Sequence, residues 1–501
     1  MSSQSVAAGP DAREAGDRRW VILSLLVLAQ FMVVLDVAIV NVALPTIKTD
    51  LHFSEAGLQW VITAYALLFG GVLLLGGRMA DLLGRRRVFM VGMAIFTVFS
   101  LLDGLAWSSS SLIAFRGLQG LGAALLAPAA LSILTTTFRE GRDRNVALGI
   151  WGAASGSGGA AGVLLGGALT SALSWSWIFF INVPFGLLVL ALSPVLLKES
   201  RANLDHRHFD AAGAASITGG LMLLVYALTR ASQHGWVTAE TIGLLAASAA
   251  LVVAFVVIEV RSPAPLLPLR IFRLRTLTAS NINALLLGAS VFSQFFLLTL
   301  YMQQVLHYSA LKTGVAYIAL TMAIIGFSAV SQALVTRIGI RVVLSVGMAL
   351  SAAGLILYAQ LPVHGAYFSN LFPAFILSGI GLAFAFVPMS IGALTGVRAD
   401  DAGVASGLLN TNQQIGGAIG VAIATTIATT YTSHYLHGHP GLAPLDGAAL
   451  THGFQIAFYV LAALAALAAV VSAIMIEPGA AATTNNDEIA GELTPALEEA
   501  A

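Results

Sequence analysis

The chain has 501 residues, 58% of them hydrophobic and only 10% charged, with a formal net charge of zero. A water-facing surface needs about a quarter of its residues charged, so this composition excludes a soluble globular fold, and zero net charge excludes the broad basic face of a nucleic-acid binder. There is no cysteine, which excludes disulfides, thiolate metal sites and cysteine nucleophiles.

Residues 1–19 are polar and end in Arg18-Arg19, directly before an apolar run from Trp20 to Ala43. That run exceeds the ~7–15 residues of a signal-peptide core and reads as an uncleaved first helix. Runs near the ~20 residues that cross hydrocarbon follow at 57–77, 88–107, 111–136, 146–171, 177–197, 209–229, 241–260, 277–304, 312–335, 341–361, 367–393, 405–430 and 453–476. An all-α membrane protein with fourteen spans is expected. Fifty glycines suit such a bundle, because small residues let helices approach closely in lipid.

The positive-inside rule tests the count independently. A cytoplasmic N-terminus leaves only Lys48, Arg230 and Lys312 outside and Arg116 within a span, with the other 20 of the 24 basic residues inside. Both termini are then cytoplasmic, and the acidic tail 477–501 is expected to be disordered.

Taken in chain order, span 1 carries Asp36 within Leu35–Pro45, with Gln30 and Asn41 as further polar positions. An acid inside a span is costly and marks a functional site. The loop after span 2 reads Gly77-Arg78-Met79-Ala80-Asp81-Leu82-Leu83-Gly84-Arg85-Arg86-Arg87, with Asp81 one turn before Arg85. Asp103 ends span 3, and span 4 holds Arg116-Gly117-Leu118-Gln119-Gly120. At 1.5 Å per residue, Asp36 lies about 24 Å up from the cytoplasmic face and Arg116 about 8 Å below the outer one. In a core ~30 Å thick, these two and Asp103 share one layer.

Span 5 places Gly158, Gly162 and Gly166 four residues apart, a ridge for close packing. Its Gly156, Gly158 and Ala161 mimic a nucleotide-binding spacing, but no strand precedes them. The segment Trp175-Ser176-Trp177-Ile178-Phe179-Phe180-Ile181-Asn182-Val183-Pro184 follows. Span 9 offers Phe292, Phe295 and Phe296 beside Gln294, either a pocket for flat ligands or a packing face. A degenerate echo of the first loop, Val335–Arg341, aligns Gly339 with Gly84 and Arg341 with Arg86. In span 13, Asn410, Gln413 and Gln414 form one polar face, either interhelical glue or cavity lining. All ten histidines fall in expected loops, and no phosphate-binding loop with its lysine is present.

These motifs resemble the fourteen-helix drug:proton antiporter branch of the major facilitator superfamily. The resemblance covers about residues 18–476 and rests on Gly77–Arg87, Leu35–Pro45, Arg116–Ala124, Trp175–Gly186 and Gly407–Gly417. It departs from the pattern at Val163, where the family has proline, and at Ser176, where it has a basic residue. The resemblance implies a six-helix bundle at 20–197, a two-helix insertion at 198–276 and a second six-helix bundle at 277–476. It implies proton coupling through Asp36, Arg116 and Asp103, with Asp36 exchanging the proton and Arg116 modulating it, and with Asp103 sharing the coupling role, a static partner of Arg116 or a hydrated group at the span end. It also implies a cytoplasmic latch of Gly77, Asp81, Gly84, Arg85 and Arg86. The expected activity is proton-coupled efflux of small amphipathic or cationic compounds across the cell membrane by a monomer that is not an enzyme. The expected partners are the substrate, protons and lipid, without nucleotide, nucleic acid, metal or cofactor. Export of an endogenous metabolite or lipid, and a non-transporting receptor on the same scaffold, are the alternatives.

Overall fold

The computed structural model describes residues 10–53, 55–138, 141–201, 210–262, 265–398, 401–439, 441, 443 and 446–478, except the side chains of 10–17, 45, 55, 56, 59, 160, 232–234 and 310. The tail expected to be disordered lies, from 479 onward, outside the described residues, as do Arg139 and Arg207.

Hydrocarbon offers no hydrogen bonds, so the backbone of a spanning segment satisfies itself as a helix. The described residues form α1 (Pro10–Asp50), α2 (Glu55–Leu83), α3 (Arg85–Gly104), α4 (Ser109–Thr137), α5 (Arg142–Ala172), α6 (Trp177–Phe180), α7 (Asn182–Leu196), α8 (Ala211–His234), α9 (Ala239–Arg261), α10 (Arg275–Leu300), α11 (Ala310–Ala316), α12 (Ile318–Ile338), α13 (Ile340–Tyr358), α14 (Phe372–Gly392), α15 (Ala402–Gly438) and α16 (Gly447–Met475). Helices α6 and α7 make one apolar span, α11 and α12 another, and α5 crosses with a bend of 41°. With α5 counted as one span, the described residues hold the fourteen spans expected. Many of their exposed side chains are apolar, as with Val253, Val256, Val257 and Val260 on α9. In water such a face would drive aggregation, whereas against lipid it is the required surface.

The loops sort to two ends. At one end Arg19 pairs with Asp143 at 2.7 Å and Arg270 with Asp401 at 3.0 Å, while Arg86 and Arg87 each lie 3.7 Å from Glu199. At the other end the Trp175 indole donates to Asp50 at 2.9 Å and the Trp236 indole to Thr426 at 2.8 Å. Arg19, Arg86, Arg87 and Arg270, all assigned to one side by charge, find their acidic partners at the first of these ends.

Within the bundle α2 and α3 pack on α4, and α1 packs on α5; α10 packs on α15 and α16, and α13 on α14 and α16. The pair α8 and α9 stays together, and α8 touches both α2 and α15. Two seams join the early helices to the late ones, α2 with α15 and α5 with α12 and α14. The loop echo has a structural basis. Gly84 and Gly339 both take positive φ, 114° and 83°, and each immediately precedes the next helix. Only glycine adopts that backbone freely, so both reversals depend on it.

One expectation fails. His234, His434, His437 and His452 lie on helices rather than loops. Helix α15 runs to Gly438, past the expected end at 430, and the His437 and His439 rings turn back on the carbonyls of Ser433 and Tyr435. Polar residues end the hydropathy signal there without ending the helix.

At the seam of α2 and α15 the backbones nearly touch. A Cβ on Gly77 would sit 2.3 Å from the Gly403 carbonyl oxygen, which has no freedom to retreat. Gly77→Leu is expected to insert into membranes normally yet lose this seam. Maleimide should then label Ser406→Cys, buried in the native fold, at least ~10-fold faster, each ~1.4 kcal/mol of lost seam stability being worth a factor of ten. The chain has no native cysteine to obscure the readout.

Candidate functional site

Asp36 is fully buried on α1, and its carboxylate is enclosed by donors from two other helices. Arg116 of α4 donates from Nη1 to Oδ2 at 2.7 Å, and Gln119, one turn later on the same helix, donates to Oδ1 at 2.9 Å. Asn182, the first residue of α7, donates to the same Oδ1 at 3.0 Å. The Ser100 hydroxyl of α3 accepts from both amides, at 2.6 Å from Gln119 and 3.1 Å from Asn182. Arg116 also donates to Gln119 and, from Nε, to the Val61 carbonyl at 3.3 Å. Its guanidinium lies over the Tyr65 ring at 4.3 Å and near the Phe179 ring at 5.6 Å.

Charge in a bundle interior survives only when paired and hydrogen-bonded. Here the acid has three donors, and the base has an anion, two carbonyl-type acceptors and two aromatic faces. The expected shared layer is thus present for Asp36 and Arg116. Asp103 differs. It is fully buried, and among the described residues neither carboxyl oxygen has a hydrogen-bond partner, so it makes no hydrogen bond to Arg116. The guanidinium's bonding is taken by Asp36, Gln119 and Val61. Gln119 and Asn182 stood inside recognised motifs, yet their role needed the fold, and Ser100 carried no sequence signal at all.

The glycine ridge of α5 positions this centre. A Cβ on Gly158, Gly162 or Gly166 would meet Val34 at 2.9 Å, the Leu35 carbonyl oxygen at 2.7 Å or the Ile39 carbonyl oxygen at 2.8 Å. These residues bracket Asp36. A second ridge on α5 faces the late helices: Gly149 meets Gln332 of α12, Gly152 and Gly156 meet Phe386 of α14, and Gly159 meets Phe295 of α10. Its spacing of three and four residues was readable in the sequence.

At the basic end, Asp81 is fully buried and accepts from Arg85 at 2.9 and 3.2 Å. It also accepts from the backbone N–H groups of Gly403 and Val404, both at 3.3 Å, at the start of α15. A carboxylate there meets free N–H groups and the positive end of the helix dipole. Arg86 turns elsewhere, donating to the Leu197 carbonyl at 3.3 Å beside Glu199.

The family model of the Major Facilitator Superfamily matches residues 26–421. The chain belongs to the major facilitator superfamily. It is 43% identical to the cephamycin export protein CmcT of Amycolatopsis lactamdurans, over 78% of this chain and 81% of that one. It is 38% identical to the puromycin resistance protein pur8 of Streptomyces alboniger, over 94% and 92%. It is 37% identical to the tetracenomycin C resistance and export protein of Streptomyces glaucescens, over 80% and 74%. The crystal structure of the human organic anion transporter MFSD10 (TETRAN) superposes with a TM-score of 0.62 at 16% identity, covering 93% of this chain and all of that one, which is a likeness of fold.

In this superfamily member the expected cavity residues separate. Gln30 donates to Ser155 of α5 at 3.3 Å, and Asn41 is exposed with its amide on the Val37 carbonyl of its own helix. Phe292 packs against Gly417 of α15, whereas Phe295 reaches α5 and pairs with Tyr317 at 5.2 Å. Phe296 packs half-buried against the core, and Gln294 is buried with its amide nitrogen unpartnered among the described residues. Asn410 bonds its own helix at Ser406, Gln413 sits where α10 presses on α15, and Gln414 faces Gly70 of α2. The interhelical glue comes from Asn412 instead, which donates to Asn281 of α10 at 3.0 Å. A cleft of about 840 Å³ between α2, α3 and α4, lined by Met79, Leu83, Val91, Leu125, Arg87 and Arg201, opens at the basic end and includes none of these residues.

Asn182→Ala removes one donor from a buried carboxylate. Unfolding in SDS–detergent mixtures should become easier by about 1.5–3 kcal/mol, the usual worth of a hydrogen bond to a charged group. In a double-mutant cycle with Asp36→Asn, that loss should shrink by at least half; additive losses would show the bond has no weight.

Proposed function

We propose that this membrane transporter exports small amphipathic or cationic compounds, of the kind used as antibiotics and dyes, in exchange for protons. Relatives named for export of, or resistance to, cephamycin, puromycin and tetracenomycin C support the drug-efflux part. The proton part rests on one observation: Asp36 and Arg116, 0% and 2% exposed, are paired at 2.7 Å in the layer that α5 packs against.

The chemistry follows from that placement. A carboxylate in a bundle interior is stable while its donors stay in place, and takes up a proton once they are withdrawn. Helix α5 touches α1 around Asp36 on one side and α10, α12 and α14 on the other. Rocking of one half against the other displaces the α10, α12 and α14 side of α5, and α5 passes that displacement on within its own half, to α1 and the donor set of Asp36. Protonation on one side of the membrane and release on the other couples the proton gradient to alternating exposure of substrate. Substrate leaves outward as the proton enters.

In this reading 20–197 and 277–476 are the rocking halves, 198–276 is an accessory pair, and the basic end with both termini faces the cytoplasm, as the positive-inside rule favours. The contacts of Asp81 with α15 then act as the cytoplasmic latch. Gln30, Asn41, Phe292, Phe295, Phe296, Gln294, Asn410, Gln413 and Gln414 remain the cavity candidates, with Phe295 and Gln414 best supported because each reaches the other half.

The test is export of ethidium from proteoliposomes driven by an imposed proton gradient. The native chain should pump and a protonophore should abolish pumping. Asp36→Asn should lower the gradient-driven rate at least ~100-fold, equivalent to about 2.7 kcal/mol, while ethidium binding stays within about threefold of native. Normal pumping by Asp36→Asn sinks the coupling assignment, and native chain that binds dye but never moves it favours a receptor.

A further inference from the structure

Two acids and one arginine share the buried layer, and their surroundings treat the acids oppositely. Asp36 accepts three hydrogen bonds, including the one from Arg116. Asp103 of α3 is equally inaccessible, yet no donor among the described residues reaches either of its oxygens. The next residue, Gly104, is pressed against the Phe180 ring, with an ideal Cβ only 2.2 Å from it, so the chain has little room to turn the carboxyl elsewhere.

The charged and titratable groups facing Asp103 come from three helices. Arg116 of α4 and Asp36 of α1 act on it through space, and Tyr65 of α2 lies in the same layer with its own hydroxyl unpartnered among the described residues. Helices α6 and α7, which also pack on α3, bring no titratable side chain. Arg116 supplies one positive charge and Asp36 balances it. Ionised Asp103 would add a second negative charge to a layer with one cation, and it would have no donor to hold it. A neutral carboxylic acid leaves the layer uncharged. One of the two acids must therefore carry a proton, and the distribution of donors chooses which.

We propose that Asp103 is a proton-binding site, occupied in this conformation while Asp36 is ionised. Its use in transport rests on the proton-coupled reading above. When the displacement of α5 reaches α1 and the Asp36–Arg116 pair opens, the guanidinium becomes available to Asp103. The Asp103 proton then leaves to water, its carboxylate replaces Asp36 as the counterion of Arg116, and Asp36 takes a proton. Each half-cycle exchanges the roles of the two acids around one arginine, without change in the charge of the layer.

Infrared spectra of the purified native chain in lipid nanodiscs at neutral pH test this without any transport. The expected result is a carboxylic-acid carbonyl stretch, at the high frequency of a group free of hydrogen bonds, lost completely in Asp103→Asn and in Asp103→Leu, and lost also in Asp36→Asn, where Asp103 ionises as the counterion left to Arg116. Thermal unfolding gives the second readout: Asp103→Leu should match or exceed the native Tm, because it removes an unpartnered polar group, while Asp36→Asn lowers Tm. A native band that survives Asp103→Asn, or a lowered Tm in Asp103→Leu with no band in the native chain, overturns the proposal. Native chain that shows the Asp103 band but pumps no dye on a gradient sinks the antiport reading and leaves this one standing. Gradient-driven pumping with no Asp103 band does the reverse.

Discussion

Asp36 and Arg116 each place a full charge where the solvent is hydrocarbon and neighbouring helices, and the packing around them answers that expense. Removing one partner of such a buried pair costs about 3–5 kcal/mol, because the other is left uncompensated. The fold therefore has to deliver α1, α3, α4 and the start of α7 to one point within hydrogen-bonding tolerance. Gln119, Asn182 and Ser100 complete that assembly, with Ser100 accepting from both amides and so fixing their orientation toward Asp36. A centre so fully partnered is rigid while its donors are present. It is also sensitive, since loss of any one donor changes which protonation state is favoured.

Helix α5 links that centre to the rest of the molecule. Glycines on one side let it lie against the backbone of α1 on both sides of Asp36, and glycines on the other let it lie against α10, α12 and α14. Small residues are what close helix contact in lipid requires, but here they also make α5 common to two interfaces. The valine at position 163, where the family has proline, is itself buried. The α5 bend of 41° comes just before it, between Gly159 and Ala161.

The two glycine-hinged loops illustrate partial symmetry. Gly84 and Gly339 perform the same backbone reversal, but only the first loop carries an acid. Asp81 is thereby able to cap α15 from the other set of helices, and the second loop, with Val335 and Thr336 near the equivalent place, has no carboxylate to return the contact. The seam at this end is tied by one loop. Packing of Gly77 on Gly403 then makes the contact close enough for the cap to form.

Hydropathy over windows of about twenty residues determined the number of spans and most of their limits, because the thickness of hydrocarbon imposes that length on any sequence. It erred at α15, where the helix continues beyond the apolar stretch into His434 and His437. The motifs were legible as local signals: an acid within a span, an arginine within another, glycines at fourfold spacing. Depth estimated from helical rise was enough to bring Asp36 and Arg116 to one level. Azimuth was not legible, since residues at one depth can face any neighbour until the helices are packed. Only the tertiary structure decided that Arg116 hydrogen-bonds Asp36 and not Asp103, that Asn412 rather than its neighbours ties α15 to α10, and that Phe292 and Phe295 point to different helices. Composition and periodicity are properties of a segment and its solvent; partnership is a property of which faces meet.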